Sequence, residues 1–598
     1  MKLWSISTTV RNPERIRNFL KVLQLLEGEP FDNENQKKYQ ILLIQNKYYR
    51  PSNIKSKYMK YYENPELDMT YKDAENIFNN QNYKDPAMRG RQSVNPLNKL
   101  GFSIAREKFG NILITELGKK FLSNEYDIGF IFFKALLKLQ FPNPWSAYFT
   151  EKYGFNVQPL IAAMHVIKKV NENNKVQGLT QTEFSLFIPS LIDYSLIDEY
   201  IKKIDEFRKV ENKKKYIINF AKEFYKTNKP TQKQINNFFE YGDNIMRYFR
   251  LTKYFKITTD KFGGNWIVNL ESTRMTEINL ILNEFSGKSL KFNSLEEYLN
   301  YISDISLPQL PSENINSLKQ IVINLTRIIK KYSIDNSIIL NKNIEYILST
   351  DISKLSVKEL NEHIMKLRDL NIIIRENFNK YILKKDINQI QNIIFNLQDY
   401  KTIKKYEPEN FEKLVADTLK IINDEIKIQP NYPVDDNGEP ISHALGNKPD
   451  IECFYASYNA IFEVTLDTSN FQWIRETQPV MRHLREFEKK FNDKKNYCLF
   501  ISPKIHIDTV YHFWNSIKYG YDNSKQFIIP LTTEQFAQLL DTFLILQKSK
   551  RKLSHKDIEE LYNKIINEIN IVNGHSDWIS AIPNIIKKWK TNLIRIEN

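Results

Sequence analysis

Apolar residues recur at helix and strand spacing along nearly all of the 598-residue chain. Between 13 and 27, Ile16, Phe19, Leu20, Val22, Leu23, Leu25 and Leu26 form a helical stripe that ends at Glu27-Gly28. A short helix near 95–100 precedes a strand-like Phe102-Ser103-Ile104-Ala105-Arg106 and a turn at Lys108-Phe109-Gly110-Asn111. A second strand, Ile112-Leu113-Ile114, leads to Thr115, the N-cap of a helix over 116–122. The pattern then recurs. Residues 243–251 read as a helix, with Arg247 and Arg250 on one face. Phe255-Lys256-Ile257 and Trp266-Ile267-Val268 form a hairpin around Phe262-Gly263-Gly264-Asn265.

Helix, hairpin, helix is the layout of a winged-helix unit, whose helix enters the major groove while the hairpin rides the phosphate backbone. From 286 the texture changes. Ser306-Leu307-Pro308-Gln309-Leu310-Pro311 breaks the chain, and long helical patterns follow at 315–332 and 357–382, as in a helical connector. After 396 comes a helix over 410–422, then a Pro/Asp/Asn/Gly-rich stretch from 430 to 447. Strand-like runs at 451–455, 460–465, 497–501 and 527–531 alternate with helices at 476–491, 533–547 and 555–569. That is an α/β arrangement with a mixed sheet.

Composition fits a globular, multidomain protein, with 41% hydrophobic residues and only 16 Gly and 22 Pro. No run reaches the ~18 uncharged apolar residues of a membrane helix. The best, 128–139, is broken by Lys134 and Lys138, so a soluble, cytoplasmic protein is expected. Cys453 and Cys498 support neither a disulfide framework nor a multi-Cys zinc site. The net charge of +15 is uneven: residues 1–285 hold 44 Lys/Arg against 31 Asp/Glu, and 396–598 hold 27 against 28. A basic front half suits a polyanion such as double-stranded DNA, and Tyr interleaved with Lys over 46–62 adds stacking capacity.

The strongest catalytic pattern is Pro449-Asp450 followed by Glu463-Val464-Thr465. Two carboxylates at adjacent strand ends can hold Mg²⁺, a hard cation that prefers oxygen ligands and keeps several waters. With a turn near 457–459, Glu463 would face residue 453 or 454, so the first strand would have to bend near Pro449 for both acids to share a metal. Glu412 can complete the carboxylate cluster. Glu476 and His483, seven residues apart, share one helix face. No P-loop, Cys/His cluster or G-x-S-x-G motif is present.

The stretch His443-Ala444-Leu445-Gly446-Asn447-Lys448-Pro449-Asp450, then Glu463-Val464-Thr465, Pro479-Val480 and Arg482-His483, resembles the cleavage domain of AlwI-type Type IIS restriction endonucleases. That group includes BstNBI, PleI, MlyI and nicking-enzyme large subunits. Met1-Lys2-Leu3-Trp4-Ser5-Ile6, Arg11 to Ile16, Arg247-Tyr248-Phe249-Arg250, Ser306-Leu307-Pro308-Gln309 and Tyr497-Cys498-Leu499-Phe500-Ile501 extend the likeness over nearly the whole chain.

The resemblance implies winged-helix-like recognition subdomains at 1–165 and 166–285, a helical linker at 286–395 and a PD-(D/E)xK nuclease domain at 396–598. The metal ligands would be Asp450 and Glu463 with Val464, and the catalytic set Asp450, Glu463, Glu412, Glu476 and His483. Thr465 stands where the wider nuclease motif has lysine, leaving His483, Arg482 and Arg475 as substitutes. Arg89, Arg91, Arg106, Arg247 and Arg250 are the DNA-binding arginines expected. One site per chain serves one strand, so double-strand cleavage implies a transient homodimer or a small second subunit. A strand-specific nicking enzyme and a non-catalytic sequence-specific DNA-binding protein are the alternatives.

Overall fold

Apolar stripes become buried helix faces from the start of the chain. Asn12 caps a 3₁₀ turn at Pro13–Arg15, and the helix Ile16–Gln24 buries Ile16, Phe19, Leu20, Val22 and Leu23. The computed structural model describes all residues except 8, 64–66, 124–126, 146–152, 174–175, 260–265, 311–312, 423–424, 445–447 and 596–598. The turn at 262–265, Pro311 and Leu445-Gly446-Asn447 therefore lie outside the described residues.

Helix α1 (Ala87–Lys99) is longer than the segment predicted at 95–100, and it carries Pro96 inside it. Gly90 is required where α1 crosses the helix Asn33–Gln45, because a Cβ there would lie 2.0 Å from the Gln36 carbonyl oxygen. Strand β1 (Ser103–Ile104) pairs antiparallel with β2 (Leu113–Ile114). The predicted strand to Arg106 stops early because the Asn98 side chain replaces a neighbouring strand. Its Oδ1 accepts the Ala105 N–H at 3.1 Å, and its Nδ2 donates to the Ala105 carbonyl at 2.9 Å. Helix α2 (Glu116–Ser123) follows, with the Thr115 hydroxyl accepting the Gly118 N–H.

Strand β3 (Leu179–Thr180) joins a second sheet. Helix α3 (Gln232–Leu251) starts in a Thr231–Gln234 capping box. The hairpin of β4 (Phe255–Thr259) and β5 (Trp266–Leu270) completes that sheet in the order β3-β5-β4. The opening segment is threaded into the same unit. Trp4 is buried and donates its indole N–H to the Ile188 carbonyl at 3.0 Å. The Lys99 ammonium donates to the carbonyls of Ser5 at 2.9 Å and Ile6 at 3.3 Å.

The charges that interrupt the apolar run at 128–139 are buried and satisfied. In the helix Ile128–Lys138, Lys134 donates to the Pro308 carbonyl at 2.8 Å and pairs with Glu313 at 3.2 Å, while Lys138 donates to the Asp304 carbonyl. The Ser306–Gln309 motif thus contains the backbone acceptor of one buried ammonium group and follows that of the other. Helices Ile315–Asp335 and α4 (Val357–Lys385) realise the predicted helical patterns.

Contacts divide the chain into two compact units. The first is Met1–Tyr58, Met69–Asp260 and Asn265–Leu370; the second is Asn371–Asn598 together with Met59–Asp68. The second unit is an α/β layer structure. In chain order it contains α5 (Pro408–Ile422), β6 (Lys427–Pro430), β7 (Ile451–Phe454), β8 (Tyr458–Val464), α6 (Gln472–Lys490), β9 (Lys495–Ser502), α7 (Ile507–Lys518), β10 (Ile528–Thr532), α8 (Thr533–Lys548), α9 (His555–Glu568) and α10 (His575–Arg595).

The sheet runs β10-β9-β8-β7-β6. β8, β9 and β10 are parallel, and β7 runs antiparallel to both β6 and β8. This is the expected mixed sheet. β6 is an addition to the sequence reading: Pro430 cannot donate to a ladder, and it is tolerated because β6 is an edge strand. Strand alternation sorts the two layers. Tyr458, Ala460 and Phe462 of β8 face the larger core with α5, α8, α9 and α10, whereas Ile461 faces Val480, Met481 and Leu484 of α6 and Phe513 of α7. Cys453 lies in the first core and Cys498 in the second. Among the described residues no helix is long and apolar enough to cross a membrane.

Candidate active site

The register of the β7–β8 pair decides the geometry. Ile451 pairs with Phe462 and Phe454 with Asn459, and the Tyr455 N–H donates to the Tyr458 carbonyl at 3.0 Å, closing the turn at 455–458. Continued by one residue, this register sets Asp450 opposite Glu463. The turn predicted at 457–459 therefore lies about two residues too late, and no bend at Pro449 is needed. Asn431 anchors the approach to β7: its N–H donates to the Asp450 carbonyl at 2.9 Å and its Nδ2 to the Pro449 carbonyl at 2.8 Å. The Val464 N–H donates to Asp450 Oδ2 at 2.7 Å, so Val464 ties one acid to the backbone carrying the other.

The helix after β8 supplies the remaining groups. Glu463 Oε1 lies 2.8 Å from His483 Nδ1, and both residues are buried. Among the described residues, His483 Nε2 is buried without a hydrogen-bond partner. Thr465, on the Glu463 face by strand alternation, donates its hydroxyl to Glu476 Oε1 at 2.8 Å and accepts the Asp467 N–H at 3.1 Å. Glu412, on α5, accepts the Ala444 N–H at 3.0 Å. Arg475 pairs with Asp467 at 2.8 Å and lies over the Phe471 ring. Gln472 binds the Asp467 and Lys504 carbonyls and receives the His506 N–H, fixing the loops beside the site. Asn431, Gln472 and the role of Thr465 escape a sequence reading; only the strand spacing of Thr465 signals it.

Burial and neighbouring charges shift every acid of the site. Burial and then the charge of Glu463 push Asp450 well above the usual carboxylate range, while the Val464 N–H opposes the shift. Burial, then Glu476, does the same to Glu463, with Arg482 opposing. Burial and Asp450 raise Glu412, and burial raises Glu476 against the pull of the Thr465 hydroxyl. Burial and Arg482 lower His483 to about 4, which makes it neutral near pH 7. With Glu463 ionised, only an Nδ1–H tautomer completes the Glu463–His483 bond, leaving a lone pair on Nε2.

Among the described residues, no three His, Cys, Asp or Glu groups converge as a ready metal cage. A divalent cation of the Mg²⁺ type needs only one or two protein carboxylates with waters. Opposed carboxylates, one of them raised by the charge of the other, fit such a cation.

The five expected DNA-binding arginines all lie in the first unit. Arg89 sits over the Tyr83 ring at 4.5 Å. Arg91 donates to Gln36 Oε1 at 2.6 Å and pairs with Asp85. Arg106 donates to the Pro144 carbonyl, and Arg247 pairs with Asp243 at 3.1 Å. Arg250 is half-buried near the end of α3. Arg91 and Arg106 meet at one cleft of about 650 Å³; the other three do not line it.

The chain is similar to known restriction enzymes. The AlwI restriction endonuclease family matches residues 98–539. The small subunit (R.BspD6I2) of the heterodimeric restriction endonuclease R.BspD6I shares 24% identity, covering 32% of this chain and 98% of that one, with a TM-score of 0.28. Restriction endonuclease FokI shares 12% identity, covering 94% of this chain and 99% of that one, with a TM-score of 0.22. No curated protein matches the chain. The family match runs from α1 into α8, across both carboxylate-bearing strands, and on that extent the chain belongs to the AlwI restriction endonuclease family and is a Type II restriction nuclease.

Proposed function

We propose that the chain is a Type IIS endonuclease whose basic front half binds a short asymmetric duplex site and whose last domain, 396–598, cuts a few base pairs away. The observation that carries this reading is the pairing of Asp450 with Glu463 across β7 and β8, beside Glu476 and His483. Recognition falls to 1–165 and 166–285 and connection to 286–395. The sets α1–β1–β2–α2 and α3–β4–β5, with β3 beside the second, support winged-helix reading heads.

In the cleavage domain, a PD-(D/E)xK arrangement without its lysine, Asp450 and Glu463 would hold Mg²⁺, with Val464 bracing Asp450. Bound there, the cation would supply Lewis-acid charge and lower the pKa of a water. His483 orients Glu463 through Nδ1 and offers Nε2 to a water. Thr465, in the lysine position, holds Glu476. Arg482 is the positive charge felt at Glu463 and takes the place of the missing lysine beside the scissile phosphate. The water oxygen bonds phosphorus and gives up a proton to bulk solvent, the P–O3′ bond breaks, and the leaving 3′ oxygen takes a proton from solvent.

Purified protein incubated with supercoiled plasmid and Mg²⁺, beside Asp450→Ala, tests the reading. Fixed linear fragments lost in the variant are the expected result, with ends outside a common sequence. Open circles nicked at fixed positions on one strand indicate a nicking enzyme or a missing partner subunit. No cleavage with DNA binding intact overturns the catalytic reading.

A further inference from the structure

The first unit holds a cleft of about 650 Å³. Its walls are the opening segment, one face of α1, the loop after β1 and the N-terminal half of α3. Lys2, Arg91, Lys99 and Arg106 line it, and no Asp or Glu does so among the described residues. Acid-free clefts of this kind focus positive potential. Between the cations stand Gln92, Asn95 and Asn237. Asn95 and Asn237 are half-buried, and neither side chain has a hydrogen-bond partner within the protein among the described residues. Their amide atoms are open to solvent rather than sealed in, so each can offer a donor and an acceptor to a ligand in the cleft. Tyr225, Tyr241 and Trp145 add flat apolar walls.

We propose that this cleft is where the first unit reads its DNA, with Arg91, Arg106 and Lys2 on phosphates and the Asn95 and Asn237 amides on base edges. The chemistry of the lining selects the ligand: cations for a polyanion, and amides that offer donor and acceptor together, as adenine edges require. The proposal rests on the duplex-binding reading above but adds the specificity-determining residues, and these are none of the five arginines. Gly90 contributes indirectly, since it allows α1 to seat against Asn33–Gln45 with its polar face turned to the cleft.

The test is binding without divalent metal, so that cleavage plays no part. Wild-type protein selects from a pool of random-sequence duplexes, and the enriched duplex is compared with a scrambled one in filter binding. Asn95→Ala and Asn237→Ala are each expected to lower the ratio of selected to scrambled affinity about tenfold or more, with thermal unfolding unchanged. Arg106→Gln is expected to weaken both duplexes alike and to flatten the salt dependence. Asparagine variants that keep wild-type selectivity, or lose both duplexes equally, overturn the proposal, as does a wild type that enriches no sequence. A failure of the catalytic reading shows in plasmid cleavage alone and leaves this result standing.

Discussion

Asp450 and Glu463 face one another across antiparallel strands, and the amide next to Glu463 donates to the Asp450 carboxylate at 2.7 Å. Like charges directly opposite in a sheet are unfavourable. Here they are also half-buried or buried, where the charged forms are harder to maintain. A fold that keeps such a pair accepts lower stability at that place, as a site built to present anionic oxygens would.

Asp450→Asn and Glu463→Gln should therefore separate function from stability. Each should lower plasmid cleavage by about a thousandfold. Each should also raise the unfolding midpoint of the second unit by about 2–4 °C per kcal/mol of relieved repulsion. Asn at 450 still accepts the Val464 N–H, so the strand end stays tied. Cleavage within tenfold of wild type would dismiss the pair as the catalytic acids.

The same repulsion sets a pH dependence. Asp450, Glu463 and Glu412 have folded values raised by burial and by neighbouring acids. Above the ordinary carboxylate range, the folded state keeps protons that the unfolded chain has released. Metal-free stability of the second unit should fall as pH rises from about 4.5 towards neutrality. Mg²⁺ should oppose that fall in the wild type and much less in Asp450→Asn. Urea titrations across this range, with and without Mg²⁺, check both statements; a flat profile in the metal-free wild type contradicts them.

Thr465→Lys restores the residue type of the wider nuclease motif, yet it should not restore activity. The Thr465 hydroxyl bridges the Glu476 carboxylate and the Asp467 N–H, and lysine removes both contacts. The expected result is a loss of about 10- to 100-fold in single-turnover cleavage, with Thr465→Ser close to wild type. A faster Lys variant would show that Glu476 needs no such anchor.

Lys138 makes a separate prediction for the first unit. Burial, with Lys134 adding to it, lowers its ammonium to about 7, against about 10.4 in a free chain. Between these values the unfolded state binds a proton that the folded state lacks, so stability rises with pH. Relative to Lys138→Met, the wild type should gain stability between about pH 7 and about pH 9.5. Urea midpoints of the first unit at both pH values measure the difference, and one that does not change with pH removes the buried-ammonium account.

Much of the second unit was legible because its strands alternate and its helices carry full apolar faces. The cores of β7 to β10, α5, α6, α8 and α9 were all placed by pattern. Long-range partners were not legible. The 455–458 turn follows from a one-pair register, and a two-residue error in its position separates Asp450 from Glu463 on paper by a long stretch of strand. β6 hid behind Pro430, since a strand that donates on one side only needs fewer ladder hydrogens than periodicity suggests. Around α1 the loss was of the opposite kind: Asn98 ends β1 with side-chain bonds that no spacing rule encodes. Glu476 and His483 were foreseen as helix-face neighbours, but their partners Thr465 and Glu463 lie on another element.

The chain's two cysteines sit on opposite sides of the central sheet, Cys453 beneath α5, α8 and α9 and Cys498 beneath α6 and α7. Burial raises both thiols, which keeps them unreactive while their layers are closed. Each is thus a built-in sentinel for one layer. Under an alkylating reagent, the order in which they become modified records which side of the second unit opens first, and a cysteine introduced anywhere on the surface would be the sole fast-reacting label.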